Sequence, residues 1–228
     1  MVCYKCTQMQ TIKGPVMLPI LPLKTVLVPD MVLTVQLEDE RYKALLKRCM
    51  DHEGELAVVF CSDYNNELAS LRQMGCKARI EKCEGIEGGV MEVKLLGLHR
   101  FSFSETLPKL NIHYAADVQY IFDVLDIEDT DPLLKKVFEL YQSYMENLVR
   151  FDPEMMPDIC MTSIKSNDSL ALLKHLSLSV EKRQEGLEIL SVRERFSFIL
   201  SCLRLELEML SFVSSTESAM PRSVNVLN

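Results

Sequence analysis

The sequence predicts an α+β protein, with a β-rich first half that contains one inserted helix and a second half that is a helical bundle. Two observations carry this prediction. Up to residue 125, several short segments alternate apolar and polar residues with a period of two, as strands with one buried face do. From residue 126, apolar residues recur at intervals of three and four, which indicates amphipathic helices. Hydrophobic residues make up 48% of the 228, which is ample for a core.

The inserted helix is predicted over residues 39–52. Its apolar residues fall on one helical face, and they are Tyr42, Leu45, Leu46 and Cys49.

Strands are predicted over residues 55–60, 76–80, 91–95, 101–104 and 113–120. The first of these, "ELAVVF", is apolar without alternation, which is typical of a strand covered on both faces. The pair Gly88-Gly89 separates two alternating segments and favours a hairpin turn between them.

In the second half, Asp131 before Pro132 predicts the start of a long helix that ends ahead of Pro153. Three shorter helices are predicted to begin at capping residues, namely Asn167 or Asp168, then Ser179, then Ser191 with Glu194 as a capping box. From Ser214 the sequence is polar and is expected to be loose.

The charge pattern argues against nucleic acid and membrane as partners. The formal net charge is -8, and the basic residues are interleaved with acidic ones rather than clustered. No secretory signal and no apolar run approaching about 20 residues is present. We therefore expect a cytoplasmic protein whose eight cysteines are reduced thiols.

No catalytic motif stands out. The sequence lacks a phosphate-binding loop, a G-x-S-x-G elbow, S-x-x-K and H-E-x-x-H. Each histidine stands alone, and His175 falls late in a predicted helix, where a cation would suit the helix dipole. We therefore expect no catalytic residue, no cofactor and no enzyme.

Cys3 and Cys6 form a C-x-x-C pair that admits three interpretations. It is half of a zinc site, a redox pair, or two thiols in a frayed N-terminal segment. A tetrahedral site needs two more ligands, and the following cysteines include no second close pair, so the third interpretation is favoured and no metal is expected.

The order of these segments resembles one family, the N-terminal substrate-binding domain of Lon proteases. "LPILPLKTVLVPDMVL" is similar to that family's opening L-P-x-x-P-L-x-x-x-x-x-P-G-M pattern, and "DERYKALL" resembles the helix that follows it. "RQMGCKARI", "LLGLHRFSF" and "LSLSVEKRQEGLEILSVRERF" match later elements in the same order. The resemblance covers roughly residues 16–212. Asp30 stands where the family has glycine, and aspartate tolerates a positive φ better than most residues.

The resemblance implies a β-rich, PUA-like pseudo-barrel over residues 15–125 and a helical subdomain over residues 126–213. Flexible tails are then expected at residues 1–14 and 214–228. The first two strands are expected within residues 18–37, with the loop from Val26 to Met31 between them left exposed.

By the same resemblance, the chain is a non-catalytic module that binds exposed apolar segments of unfolded or damaged proteins, as an adaptor or holdase. The candidate contact residues are Val28, Pro29 and Met31 in the loop, and Met155 and Met156 between helices, where flexible thioethers suit varied apolar partners. An ATP-dependent protease and a second copy of the chain, in a homo-oligomer, are further candidate partners.

Alternatives remain at this stage. The fold could instead serve as a regulatory scaffold for one folded partner or a small ligand, because one fold hosts many functions. Thiol exchange at Cys3 and Cys6 is the least favoured alternative. The polar ending "SAMPRSVNVLN" favours a complete short protein over a fragment of a longer Lon chain.

Overall fold

The structure, a computed structural model, describes residues 16–64, 67–104, 106–110, 113–151 and 163–219. Its strands, in chain order, are β1 (Val16–Leu23), β2 (Val32–Leu37), β3 (Glu55–Phe60), β4 (Met74–Gly85), β5 (Met91–Ser102), β6 (Thr106–Leu110) and β7 (His113–Tyr120). Its helices are α1 (Glu40–Met50), α2 (Glu67–Ser70), α3 (Pro132–Phe151), α4 (Ser169–His175), α5 (Val180–Glu188) and α6 (Val192–Ala219). The predicted α+β class is confirmed.

The strands form one sheet that closes on itself. Their order is β2-β5-β4-β3-β1-β7-β6, and an additional pairing joins β5 to β7. Phe101 and Ser102 near the end of β5 pair with Tyr120 and Gln119 near the end of β7. Five strands therefore make a pseudo-barrel, with β2 and β6 attached outside the closed ring.

Helix α1 forms where the sequence predicts it and packs against strands of the barrel. Asp39 caps it, since its carboxylate accepts a hydrogen bond from the Arg41 backbone N–H at 2.8 Å. Leu45, Leu46 and Cys49 are buried in a core with residues of the barrel strands. Full burial of one leucine side chain contributes about 1.5–3 kcal/mol, so this face fixes the helix on the barrel.

Strand β3 is covered on both faces, as its uninterrupted apolar run predicts. Leu56 and Val58 belong to the core under α1, whereas Ala57 and Val59 belong to a second core on the opposite face. The predicted hairpin is also present, because β4 and β5 are antiparallel and Gly88 adopts a φ of 80° in the turn between them.

Two details of the β half differ from the prediction. Phe101 and Ser102 do not start a new strand but complete β5, which runs through residues 91–102. Strand β6 was missed, because "TLPKL" contains a proline and no clear alternation.

The helical half begins as predicted, at Asp131, whose carboxylate accepts from the Leu133 backbone N–H at 2.8 Å. Ser179 caps α5 through the Lys182 N–H, and Ser191 caps α6 through the Glu194 N–H at 3.0 Å. The buried faces of α3, α4, α5 and α6 form one core, and three residues of the β half join it: Val26, Val28 and Phe60.

At the C-terminal end, helix α6 continues to Ala219, beyond the boundary predicted at residue 213. The flexibility of residues 214–228 stays a prediction. Serine, threonine and glutamate are tolerated in a helix, and the first residue that cannot continue one is Pro221. The predicted tail at residues 1–14 lies outside the described residues, as do Cys3 and Cys6.

Candidate partner-binding surface

The loop that was expected to stay exposed is largely buried. Val26, Leu27 and Val28 are 2%, 1% and 0% exposed, and Val28 packs into the core of the helical half. The expectation of exposure is therefore wrong for these three residues, and Val28 offers no surface to a partner. The physical reason is that the loop fills the boundary between the two halves.

Hydrogen bonds fix the rest of this loop in place. The Asp30 N–H donates to the Gly97 carbonyl at 3.0 Å, and the Gly97 N–H donates to the Met31 carbonyl at 2.9 Å. From the helical half, Lys174 Nζ donates to the Asp30 carbonyl at 3.2 Å. Asp30 has a φ of 59°, so the positive φ expected at this position is confirmed.

The other predicted contact residues divide into two groups. Pro29 and Met31 are half-buried, and Met31 packs against both the helical core and the core under α1. Contact of these two residues with a partner stays a prediction. Met155 and Met156 lie outside the described residues, so their role also stays a prediction.

A cluster of three charged residues, the arginine cluster, joins the two halves. Arg100 on β5 and Arg195 on α6 are 2% and 0% exposed, and both guanidinium groups donate to Oδ1 of Asp123. Asp123 belongs to the segment that connects β7 to α3. One carboxylate therefore holds an arginine from each half.

Backbone carbonyls and one hydroxyl complete the arginine cluster. Arg100 donates to the carbonyls of Leu187 and Ile189 at 2.7 and 2.8 Å, and Arg195 donates to the same Ile189 carbonyl at 2.8 Å and to Ser169 Oγ at 2.7 Å. Desolvation, together with the positive charge of Arg195, lowers the pKa of Arg100 to about 10, against the opposing effect of Asp123. Arg100 still carries its charge at neutral pH.

Hydrogen bonds also join the connecting segment to the loop between α5 and α6. The Val124 N–H donates to the Leu190 carbonyl at 3.0 Å, and the Val192 N–H donates back to the Val124 carbonyl at 3.1 Å. Asp126 accepts from the Ser191 hydroxyl and from the Arg193 backbone N–H. These hydrogen bonds lower the pKa of the Asp126 carboxyl, and the one from Ser191 has the largest effect.

The connecting segment and the loop before α6 together display an apolar surface, which we call the linker surface. Asp123 Oδ1 accepts from the two buried arginines, whereas the side chains on either side of it, Phe122 and Val124, are exposed. The linker surface consists of four exposed side chains: Phe122 (62%), Val124 (54%), Leu125 (72%) and Leu190 (45%). Leu190 lies next to Val124 through their backbone hydrogen bond, and exposed apolar side chains grouped in this way are typical of sites of protein interaction.

Sequence reasoning missed both the arginine cluster and the linker surface, although signals for them exist. Arg195 lies on the apolar stripe of its helix between Val192 and Phe196, a position that requires a buried partner. The segment "IFDVLDI", residues 121–127, places acidic residues inside an apolar run where solvated loops are usually polar. Neither signal names the partner, because the residues that meet are far apart in sequence.

The described part of the chain also contains free cysteines and possible metal-ligating side chains. Cys49 and Cys76 are buried free thiols, and desolvation raises their pKa values to about 11 and about 12. Among the described residues, no group of three or more histidine, cysteine, aspartate or glutamate side chains could hold a metal ion. Within that same part, no helix is long and apolar enough to cross a membrane.

The fold defines the class of the chain, a PUA-like β domain joined to a helical bundle. A family model described as the ATP-dependent protease La (Lon) substrate-binding domain matches residues 17–204, which is most of the chain. The chain therefore belongs to the family of Lon substrate-binding domains, as the sequence motifs predicted. The match corresponds to the non-catalytic part of Lon and does not extend to its ATPase and protease domains.

Individual relatives agree with this assignment. Lon protease of Escherichia coli strain K12 is 25% identical over 203 residues, and Lon protease of Brevibacillus choshinensis is 25% identical over 200 residues. Each alignment covers 85% of this chain and 25% of the relative. The chain thus spans about a quarter of the length of these curated relatives.

Solved structures support the fold. A Lon N-terminal domain protein from Xanthomonas campestris has a TM-score of 0.61 at 20% identity, and the N-terminal domain of Lon protease from the Mycobacterium avium complex has a TM-score of 0.64 at 16% identity. Each comparison covers 82% of this chain and 98% of the other.

Proposed function

We propose that this domain is a substrate-recognition module that binds exposed apolar segments of unfolded or damaged proteins without catalysing a reaction on them. The observation that carries the proposal is the linker surface. Its four large apolar side chains are between 45% and 72% exposed, and leaving them in water costs free energy that a bound apolar segment would recover. Membership of the Lon substrate-binding family supports a recognition role.

The support beneath this surface favours binding with little rearrangement. Asp123, held by both arginines, and Val124, hydrogen-bonded to the loop before α6, fix the backbone of the connecting segment. A preformed surface loses less conformational entropy when a client binds. We propose that the module acts as an adaptor or holdase and that an ATP-dependent protease receives its clients.

The experiment measures binding to one client in two states. Fluorescence anisotropy would follow titration of a labelled, reduced and carboxymethylated lactalbumin, which is unfolded, and of the same protein in its folded form. We expect saturable binding to the unfolded form only, and no requirement for ATP. Absence of saturable binding to the unfolded form would refute the proposal.

Variants locate the binding surface. Phe122→Ser combined with Leu125→Ser should weaken client binding by at least about tenfold, because two large apolar contacts are lost. Ile86→Ser is the matched control, since Ile86 is exposed (39%) but lies in the turn between β4 and β5. If the double variant bound as tightly as the control, the linker surface would not be the recognition site.

A second candidate function is docking to one folded partner. Leu205 and Met209 on α6 are spaced by four residues, and each is 57% exposed. This is the spacing of a helix face that packs against another helix. Leu205→Lys with Met209→Lys should then abolish a single-partner pull-down, or self-association measured by light scattering, without weakening the binding of unfolded lactalbumin.

A further inference from the structure

The linker surface borders a groove that carries negative charge. Leu125 contributes to both, and the groove continues along Asp126, Glu128 and Asp131 to Pro132 at the start of α3. Its volume is about 580 Å³, within the range of clefts that bind ligands. An apolar segment lying on the linker surface would therefore place its next residues beside these carboxylates.

The carboxylates of this acidic groove outnumber its cations. Arg193 is the cation in its lining, and its guanidinium group pairs with Asp131. The Arg193 backbone N–H and the Ser191 hydroxyl donate to Asp126. Three carboxylates against one guanidinium leave an excess of two negative charges in the lining.

Glu128 is the carboxylate in this lining that is best placed for a cation from outside. Asp126 and Asp131 already accept hydrogen bonds from Ser191, Arg193 and Leu133. Glu128 is exposed, and its side chain forms no ion pair or hydrogen bond with another described residue. A lysine or arginine entering the groove would meet it without breaking an existing pair.

We infer that the linker surface selects apolar segments that carry a lysine or arginine next to the apolar stretch, with the cation in the acidic groove beside Glu128. This inference names the substrate class of the proposed recognition site and rests on that proposal. Charge complementarity argues for it, because a glutamate at the same place would face like charges.

The test compares three peptides with the same apolar block. Each is fluorescein-labelled, and the block is flanked on both sides by lysine, by glutamine or by glutamate. Anisotropy titrations should give the lysine peptide about fivefold tighter binding than the glutamine peptide, and the glutamate peptide weaker binding than both. The differences in affinity among the three peptides should become smaller in about 0.5 M salt, since exposed charges are screened.

Glu128→Gln should remove most of the preference for lysine over glutamine while leaving binding of the glutamine peptide unchanged. Glu139→Gln is the matched control, because Glu139 is an exposed carboxylate on α3 that does not line the groove. Equal binding of all three peptides, or an unchanged preference in Glu128→Gln, would overturn the inference and leave the proposed function intact. Failure of every peptide and of unfolded lactalbumin to bind would overturn both.

Discussion

Arg100 and Arg195 lie on different halves of the molecule, yet their guanidinium groups donate to the same oxygen of Asp123. Both also donate to the Ile189 carbonyl. Two buried cations next to each other repel, and the shared carboxylate offsets that repulsion. Asp123 therefore stabilises the boundary between the halves and at the same time fixes the backbone that displays Phe122 and Val124.

Asp123→Ala should lower the free energy of unfolding by about 3–5 kcal/mol, because it leaves two buried guanidinium groups without a counter-charge. Urea denaturation followed by circular dichroism would measure the change. Glu188→Gln is the matched control, since it breaks another ion pair between the halves, that with Arg72, whose side chain is 51% exposed. Glu188→Gln should lower the free energy of unfolding by less than about 1 kcal/mol. Equal losses in the two variants would contradict the role given to Asp123.

Gly97 allows the loop that ends at Met31 to lie against β5. A Cβ atom at Gly97 would lie 2.2 Å from the Val28 carbonyl oxygen, so Gly97→Ala must displace backbone. We expect a loss of about 3 kcal/mol, at the upper end of the usual range for overpacking, measured by urea denaturation. Gly85→Ala provides the comparison, because no described atom outside the adjacent residues lies within 4 Å of a Cβ placed there. A loss in Gly97→Ala no larger than that in Gly85→Ala would show that the loop can move away freely.

Local signals predicted most elements of the fold, and non-local contacts decided the rest. The caps at Asp131, Ser179 and Ser191 form as predicted, because each depends on a few neighbouring residues. The burial of Val28 depends on Gly97 and on the helical core, which are distant in sequence. An apolar loop has the same sequence pattern whether it is exposed for a partner or buried against the helical half of the same chain.

The candidate site illustrates the same limit. Nothing local to Arg100, Asp123 or Arg195 identifies the other two, since 23 and 72 residues separate the aspartate from its arginines. The family motif that contains Arg100 drew attention to this residue but did not predict its burial or its ion pair with Asp123. Phe122 and Val124 are exposed on either side of Asp123, whose carboxylate contacts the buried arginines, and only the folded chain shows which side chains face inward.

His175 should make the stability of the domain depend on pH. Its Nε2 is buried and has no hydrogen-bond partner among the described residues, and desolvation, assisted by Lys174, lowers its pKa from the ordinary value of 6.5. The unfolded chain binds a proton at higher pH than the folded chain does, so this residue's contribution is fully present above about pH 6.5 and is lost as the pH falls below it.

His175→Gln should flatten the fall in unfolding free energy between about pH 7 and about pH 5, measured by urea denaturation at several pH values. The Asp126 carboxyl, whose pKa is lowered from 3.8, loses its contribution only at more acidic pH, so the two effects occupy separate ranges. An unchanged slope between pH 7 and pH 5 in His175→Gln would exclude His175 as the titrating group.

Asp30 tests whether the positive φ at the boundary loop carries a cost. Its φ is 59°, its side chain is exposed, and its interactions with Lys174 and Gly97 use backbone atoms. A substitution here therefore changes the backbone preference and little else. We expect Asp30→Gly to leave the free energy of unfolding unchanged or to raise it by up to about 1 kcal/mol. Asp30→Ala should lower it by about 1 kcal/mol. Asp30→Val should lower it further, because a β-branched side chain disfavours this conformation most. Thermal and urea unfolding of the series would establish the order. If Asp30→Val were as stable as Asp30→Gly, the backbone at this position would not be held in the left-handed region, and the loop would not be fixed between the two halves as described.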